Sequence, residues 1–180
     1  YDKTTDTWTT FNTTNSGIAG SNVKSIVVNG EVIWFGLFSG GISRYNKTSS
    51  TWTTYNSSNS GLVNDFVVSL AIDGDEVWAG TDGQYAINRG LSRFNQTSGK
   101  WTTYTGNGLD FVIETVVDSN LIWLARFQYG GTKYNKTSDA WTFYDFIGDA
   151  ESVSADDNST WFGTRAVSYT HLTLPTNREV

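Results

Sequence analysis

Carboxylates gather at two places in this chain: Asp73, Asp75 and Glu76, and then Asp156 with Asp157. Such groups could serve a lyase, a glycosidase or a calcium site, but each of those needs several carboxylates converging on one point. Their register places them instead at hairpin turns spread around a rim, where acidic residues serve as turn formers. Up to Arg165 there is no His, Cys, Met or Pro. A Ser-His-Asp triad, a Cys-His dyad and a His- or Cys-ligated metal are therefore excluded from that stretch. A second set of residues is better suited to binding than to reaction. Asp82, Gln84, Tyr85, Asn88 and Arg89 fall in one irregular loop, and Arg126, Phe127, Gln128 and Tyr129 in another. Planar rings beside amides and guanidinium groups suit stacking on, and hydrogen bonding to, a glycan or another small polar ligand. Ordinary loop variation is the competing reading. The expectation is a ligand-binding face with no catalytic residue, no cofactor and no metal.

The elements that must position those loops repeat. Four stretches align: "YDKTTDTWTTFN" from Tyr1, "YNKTSSTWTTYN" from Tyr45, "FNQTSGKWTTYT" from Phe94 and "YNKTSDAWTFYD" from Tyr134. After each comes a second signature: "EVIWFG", "DEVWAG", "LIWLA" and "STWFG". All 8 tryptophans fall into these two registers, Trp8, Trp52, Trp101 and Trp141 in one and Trp34, Trp78, Trp123 and Trp161 in the other. A period of roughly 40–50 residues belongs to propellers or helical arrays. Strand signals choose between them. "VKSIVV", "FVVSLAID" and "FVIETVVD" are β-branched runs bounded by Asn, Gly, Asp and Ser, which read as strands joined by tight hairpins.

Each repeat thus supplies four strands: the Val/Ile run innermost, then the Trp34-type strand, the "GGISRYN" type, and "WTTY" outermost. The predicted fold is all-β, a partial β-propeller of four-stranded antiparallel blades in about three and a half repeats. The repeats are phased near 1–44, 45–93, 94–133 and 134–165. The tryptophans are expected to form the core shared between blades, each burying roughly 150–250 Å². The Gly two places after the second-strand Trp is expected to admit a neighbouring group. Sequons at Asn46, Asn95 and Asn135 read as turn chemistry rather than glycosylation, because Asp2 fills the same turn without one.

Acidic and basic side chains number 18 and 12, a formal charge of -6, and Lys and Arg occur singly. That balance argues against nucleic acid as a partner. No apolar run approaches the roughly 18 residues of a membrane span. These residues contain no signal peptide, and the chain opens on Tyr1 rather than Met, which leaves the question of a leader open.

The pattern "NVKSIVVNGEVIWFG…GGISRYN" followed by "WTTYNSSNSGL" resembles the two-component regulator propeller repeat. Asn22, Val23, Ile26, Trp34, Gly36, Gly40, Gly41, Ile42, Arg44 and Tyr45 match that pattern, as do Trp52, Tyr55, Ser60, Gly61 and Leu62. Leu37 and Ala125 depart from it, and no Pro follows Ser-Gly-Leu. The resemblance implies a non-catalytic sensor propeller, periplasmic or extracellular, whose parent chain continues into a membrane-anchored signalling domain. Kelch repeats share the Tyr-to-Trp spacing but carry their double Gly further upstream. The alternative function is a secreted scaffold or adhesion propeller, alone or attached to a carbohydrate-active enzyme.

The last fifteen residues break the pattern. Val167 to Thr176 resemble one translated frame of a transposon-end sequencing adapter, whose following constant bases would supply Val180 and a stop. Residues 166–180 are therefore expected to be a non-native tail without function, although "VSYTHLTL" alternates well enough to fill a third-strand place beside Trp161.

Overall fold

The computed structural model describes residues 1–82, 88–106, 108–145 and 148–165, and the backbone of 170–173. There is no helix among the described residues; fifteen strands form four sheets. The first sheet runs β1 (Val23–Asn29), β2 (Val32–Leu37), β3 (Ile42–Asn46) and β4 (Thr51–Tyr55), paired in chain order. The second holds β5 (Val67–Asp73), β6 (Glu76–Thr81), β7 (Gly90–Asn95) and β8 (Trp101–Thr105). The third holds β9 (Val112–Asp118), β10 (Leu121–Arg126), β11 (Gly130–Asn135) and β12 (Ala140–Tyr144). The fourth has β13 (Ala150–Asp156), β14 (Ser159–Thr164) and β15 (Thr170–Thr173). These are propeller blades. The first three sheets start at their Val/Ile strand and end in the next "WTTY"-type segment, so these blades are out of step with the Tyr-phased repeats.

Local chemistry explains the hairpins. In the first three blades the first hairpin turns on a residue with positive φ: Gly30 (56°), Gly74 (56°) and Ser119 (51°). Asn46 and Asn135 accept hydrogen bonds from the backbone two and three residues on, at 2.9 and 3.1 Å in both turns. Asp2 accepts from Thr4 and Thr5 in the same way.

The blades stack through repeated contacts. Trp34, Trp78 and Trp123 are buried, each stacked on the outermost Tyr of its own blade (Tyr55, Tyr104, Tyr144). A cation from the third strand lies over each indole, Arg44 at 5.6 Å, Arg93 at 5.5 Å and Lys133 at 5.7 Å. Trp34 and Trp78 also meet the next blade's third-strand ring, Phe94 and Tyr134. The small residue after the indole is a matter of volume. A Cβ on Gly36 would sit 2.9 Å from Val67, and one on Gly80 would sit 2.7 Å from Val112. Where Ala125 replaces this Gly, the buried cluster that holds it has Ala150 in place of the valine.

Innermost strands lie side by side and are bonded across blades. Ser25 Oγ accepts from Leu70 N at 3.0 Å, Ser69 Oγ bonds Thr115 Oγ1 at 2.8 Å, and Glu114 Oε2 accepts from Val153 N at 2.6 Å. Two tryptophans expected in the core are not buried: Trp8 is 82% exposed and Trp161 49%. The reason is geometric. A blade's Trp is covered by its own outermost strand and by the following blade. Among the described residues neither a fourth strand of its sheet nor a following blade lies over Trp161, and Trp8 belongs to an outermost-type segment that joins no sheet. Trp52, Trp101 and Trp141 are half-buried on the outermost strands.

Candidate ligand-binding face

At every blade one backbone hydrogen bond ties the loop entering the first strand to the end of the second. Phe38 N donates to Asn22 O (2.9 Å), Asp82 N to Phe66 O (3.0 Å), Phe127 N to Phe111 O (3.1 Å) and Arg165 N to Asp149 O (3.0 Å). These eight residues therefore share one face, and aromatic rings dominate it. Phe38 and Phe66 meet edge to face at 5.3 Å. Phe111 lies between Phe127 and Tyr129, 6.3 Å from each, and the Arg89 guanidinium sits 4.1 Å above its ring.

A cleft of about 220 Å³ opens here, lined by Asp82, Phe111, Ile113, Phe127 and Arg165. It draws one residue each from the second-strand ends of the second, third and fourth blades. Its walls are apolar, with a carboxylate and a guanidinium at the margin. Arg165 Nε lies 3.7 Å from Glu151, an exposed pair that leaves the guanidinium in water. A larger cavity, about 320 Å³, lies between the outermost strands β8 and β12, but no charged side chain lines it. The smaller cleft has the better chemistry for a polar ligand.

The expected site residues divide. Asp82, Arg89, Phe127 and Tyr129 come together around Phe111. Asn88 is exposed, and its carbonyl is already engaged by Asn64 Nδ2 at 2.7 Å. Gln128 is exposed on the loop after β10, with φ of 70°. Gln84 and Tyr85 lie outside the described residues. Arg126 requires a correction. It is 1% exposed, and its guanidinium points inward. It donates to the carbonyls of Gly108, Tyr129 (2.6 Å) and Gly131 (3.2 Å), and lies 3.3 Å from Asp145. Burial pulls its pKa below the ordinary arginine value, with Asp145 opposing. The reason for this inward placement is visible in the neighbouring blades. There the incoming loop is held by a serine, Ser43 accepting from Ala19 N and Ser92 from Val63 N. In the third blade Thr132 stands at that position with no hydrogen-bond partner for its hydroxyl, and Arg126 holds the loop instead.

Phe111 escaped the sequence reading because "FVIETVVD" looks like one continuous strand. The strand begins at Val112, and Phe111 precedes it with φ of 55°. The signal available was the repeat alignment with Asn22, the residue that opens the first blade.

The carboxylates sit at the turns. Asp73 pairs with Lys136, Asp75 accepts from Thr97 at 2.6 Å, and Glu76 from Asn95 at 2.9 Å. Asp156 accepts from Asn158 N and Ser159 N, which hold its pKa below the usual carboxylate range. Among the described residues no three His, Cys, Asp or Glu side chains form a metal-binding group.

Comparison with solved structures places the fold among propeller domains. One neighbour is described as the extracellular domain of a one-component system from B. thetaiotaomicron: TM-score 0.69, 19% identity, covering 84% of this chain and 22% of that one. Another is described as the extracellular domain of a hybrid two-component system from the same organism: TM-score 0.70, 16% identity, covering 87% of this chain and 24% of that one. The computationally designed Ika4 protein matches with TM-score 0.71 and 10% identity, over 88% of this chain and 95% of that one. This chain therefore spans about a quarter or less of the two natural neighbours. No family model and no curated protein matches it.

Proposed function

We propose that this chain is part of a non-catalytic β-propeller that binds a small polar ligand, in the extracytoplasmic part of a bacterial signalling protein. The observation that carries this reading is the cleft between Asp82, Phe111, Phe127 and Arg165, built by three blades on one face. Phenyl rings offer apolar faces to a sugar's C–H groups, while the carboxylate accepts from hydroxyls and the guanidinium donates to them. A glycan fragment, neutral or anionic, fits that chemistry. The likeness to extracellular domains of signalling systems supports the setting.

The test is a glycan array probed with the intact 180-residue chain and with Phe127→Ala. Binding by the wild type that falls at least tenfold in the variant supports the reading. Equal binding by both, with no glycan distinguishing them, overturns it.

A further inference from the structure

The loops that leave the "WTTY"-type segments close a gap in two places and leave it open in a third. Six residues separate Phe11 from Ile18 (12–17) and Tyr55 from Leu62 (56–61), but only four separate Tyr104 from Leu109 (105–108). In each longer loop an asparagine side chain clamps the outer backbone edge of the segment before it. Asn15 Oδ1 accepts from Asn12 N (2.8 Å) while its Nδ2 donates to Thr10 O (2.9 Å). Asn59 does the same with Asn56 N (2.8 Å) and Thr54 O (3.1 Å). Two residues further on, Gly17 and Gly61 lie against the Cβ atoms of Trp52 and Trp101, with no room for a side chain.

The shorter loop makes neither contact. Thr103 and Thr105 hold in β8 the places of Thr54 and Asn56, since Thr103 pairs with Ser92 as Thr54 does with Ser43. The Thr103 hydroxyl is engaged by Gly61 O at 2.6 Å, but no side chain among the described residues bonds the backbone of either threonine. Gly108 has Arg126 and Phe143 for its nearest neighbours, not Trp141. The space left is the cavity of about 320 Å³ between β8 and β12, lined by Thr103, Tyr104, Thr105, Leu109, Trp141 and Phe143. We propose that this cavity binds a small uncharged molecule bearing a primary carboxamide, which takes the part that Asn15 and Asn59 play elsewhere. Its carbonyl accepts from Thr105 N, its NH2 donates to Thr103 O, and its apolar body lies against Trp141 and Phe143. No charged side chain lines the cavity, so an ion would lose its hydration there without a partner. The volume is at the lower end of the range of about 300–1,000 Å³ for ligand pockets, which suits a single ring. The site shares no lining residue with the cleft at Phe111 and does not depend on it.

Benzamide is the probe, titrated into the isotopically labelled 180-residue chain and followed by amide NMR. Saturable shifts are expected at Thr105 and Leu109, with Asp82 and Phe127 unmoved. Benzoate, which has the same ring but carries a charge and cannot donate to Thr103 O, should bind at least tenfold more weakly. Thr105→Pro removes the donor at an edge position where proline is tolerated, and should weaken benzamide binding at least tenfold, read at Leu109. Replacing 105–109 by the sequence of 56–62 restores both the asparagine and the glycine, and should abolish binding. Each variant is checked for the wild-type far-UV circular dichroism; if one fails to fold, the other decides. No saturable shift at Thr105 with benzamide, benzoate binding as well as benzamide, or a folded variant that binds like the wild type overturns the proposal.

Discussion

Replacing Arg126 by alanine distinguishes a residue that holds a loop from one that binds a ligand. Its guanidinium donates to three backbone carbonyls, those of Gly108 and Tyr129 in two loops and that of Gly131 in β11, which is buried with it. Hydrogen bonds from a charged donor contribute about 1.5–3 kcal/mol each when buried. Gly108 and Tyr129 lie nearer solvent, so water recovers part of what the variant loses there. Asp145 is mostly exposed, and its ion pair adds less than about 1 kcal/mol. The net cost expected for Arg126→Ala is therefore about 3 kcal/mol, against a total stability of about 5–15 kcal/mol for a domain. For a chain of this size that is a fall in melting temperature of about 6–12 °C. Asp145→Asn should shift it by about 2 °C or less. Thermal unfolding followed by tryptophan fluorescence reads both, and hydrogen exchange should show the backbone around Gly108 and Tyr129 opening first. If Arg126→Ala melts with the wild type while ligand binding disappears, the inward-holding role is wrong and Arg126 is a binding residue after all.

Trp34→Ala should cost about 3–5 kcal/mol in urea unfolding, whereas Trp161→Ala, in dilute solution, should cost under about 1 kcal/mol, because burial sets the scale. Ser25→Ala should cost about 1–2 kcal/mol by leaving Leu70 N without its acceptor at the first blade junction, read in the same denaturant series. Asp156 is held below the usual carboxylate range by Asn158 N and Ser159 Oγ and N. Its turn is therefore stabilised at pH above the ordinary carboxylate value and loses that support as pH falls through its own lower pKa. The Asn46 turn, with the same geometry and no charge, should not respond. An NMR titration of the amides of Ser159 and Ser49 separates the two, and a matching response in both would contradict the assignment.

The blade plan was legible because it rests on repetition. Two tryptophan registers and β-branched runs between turn formers mark strands whatever their neighbours are. Features that depend on a neighbour were not legible. Trp161 has the same sequence surroundings as the buried Trp34, Trp78 and Trp123, and Trp8 as the half-buried Trp52, Trp101 and Trp141, yet no following blade among the described residues covers Trp161 and the segment of Trp8 joins no sheet. Arg126 sits among loop residues in sequence, yet it closes β10 and turns inward because Thr132 leaves the incoming loop unheld. Phe111 reads as part of a strand, yet it precedes β9 and shares its face with Phe38, Phe66 and Phe127 through the backbone bond repeated at each blade. Arg89, Phe127 and Tyr129 could be guessed from their types, but not that one phenyl ring gathers them.

Amide-resolved NMR of the isotopically labelled chain, titrated with a mixture of mono- and oligosaccharides, tests the central claim most directly. A saccharide held in the cleft should give saturable shifts at Asp82, Phe111, Ile113, Phe127 and Arg165, with the hairpin turns at Gly30, Gly74 and Asp156 unmoved. Saccharide-dependent shifts confined to those turns, or none at millimolar sugar, would contradict it.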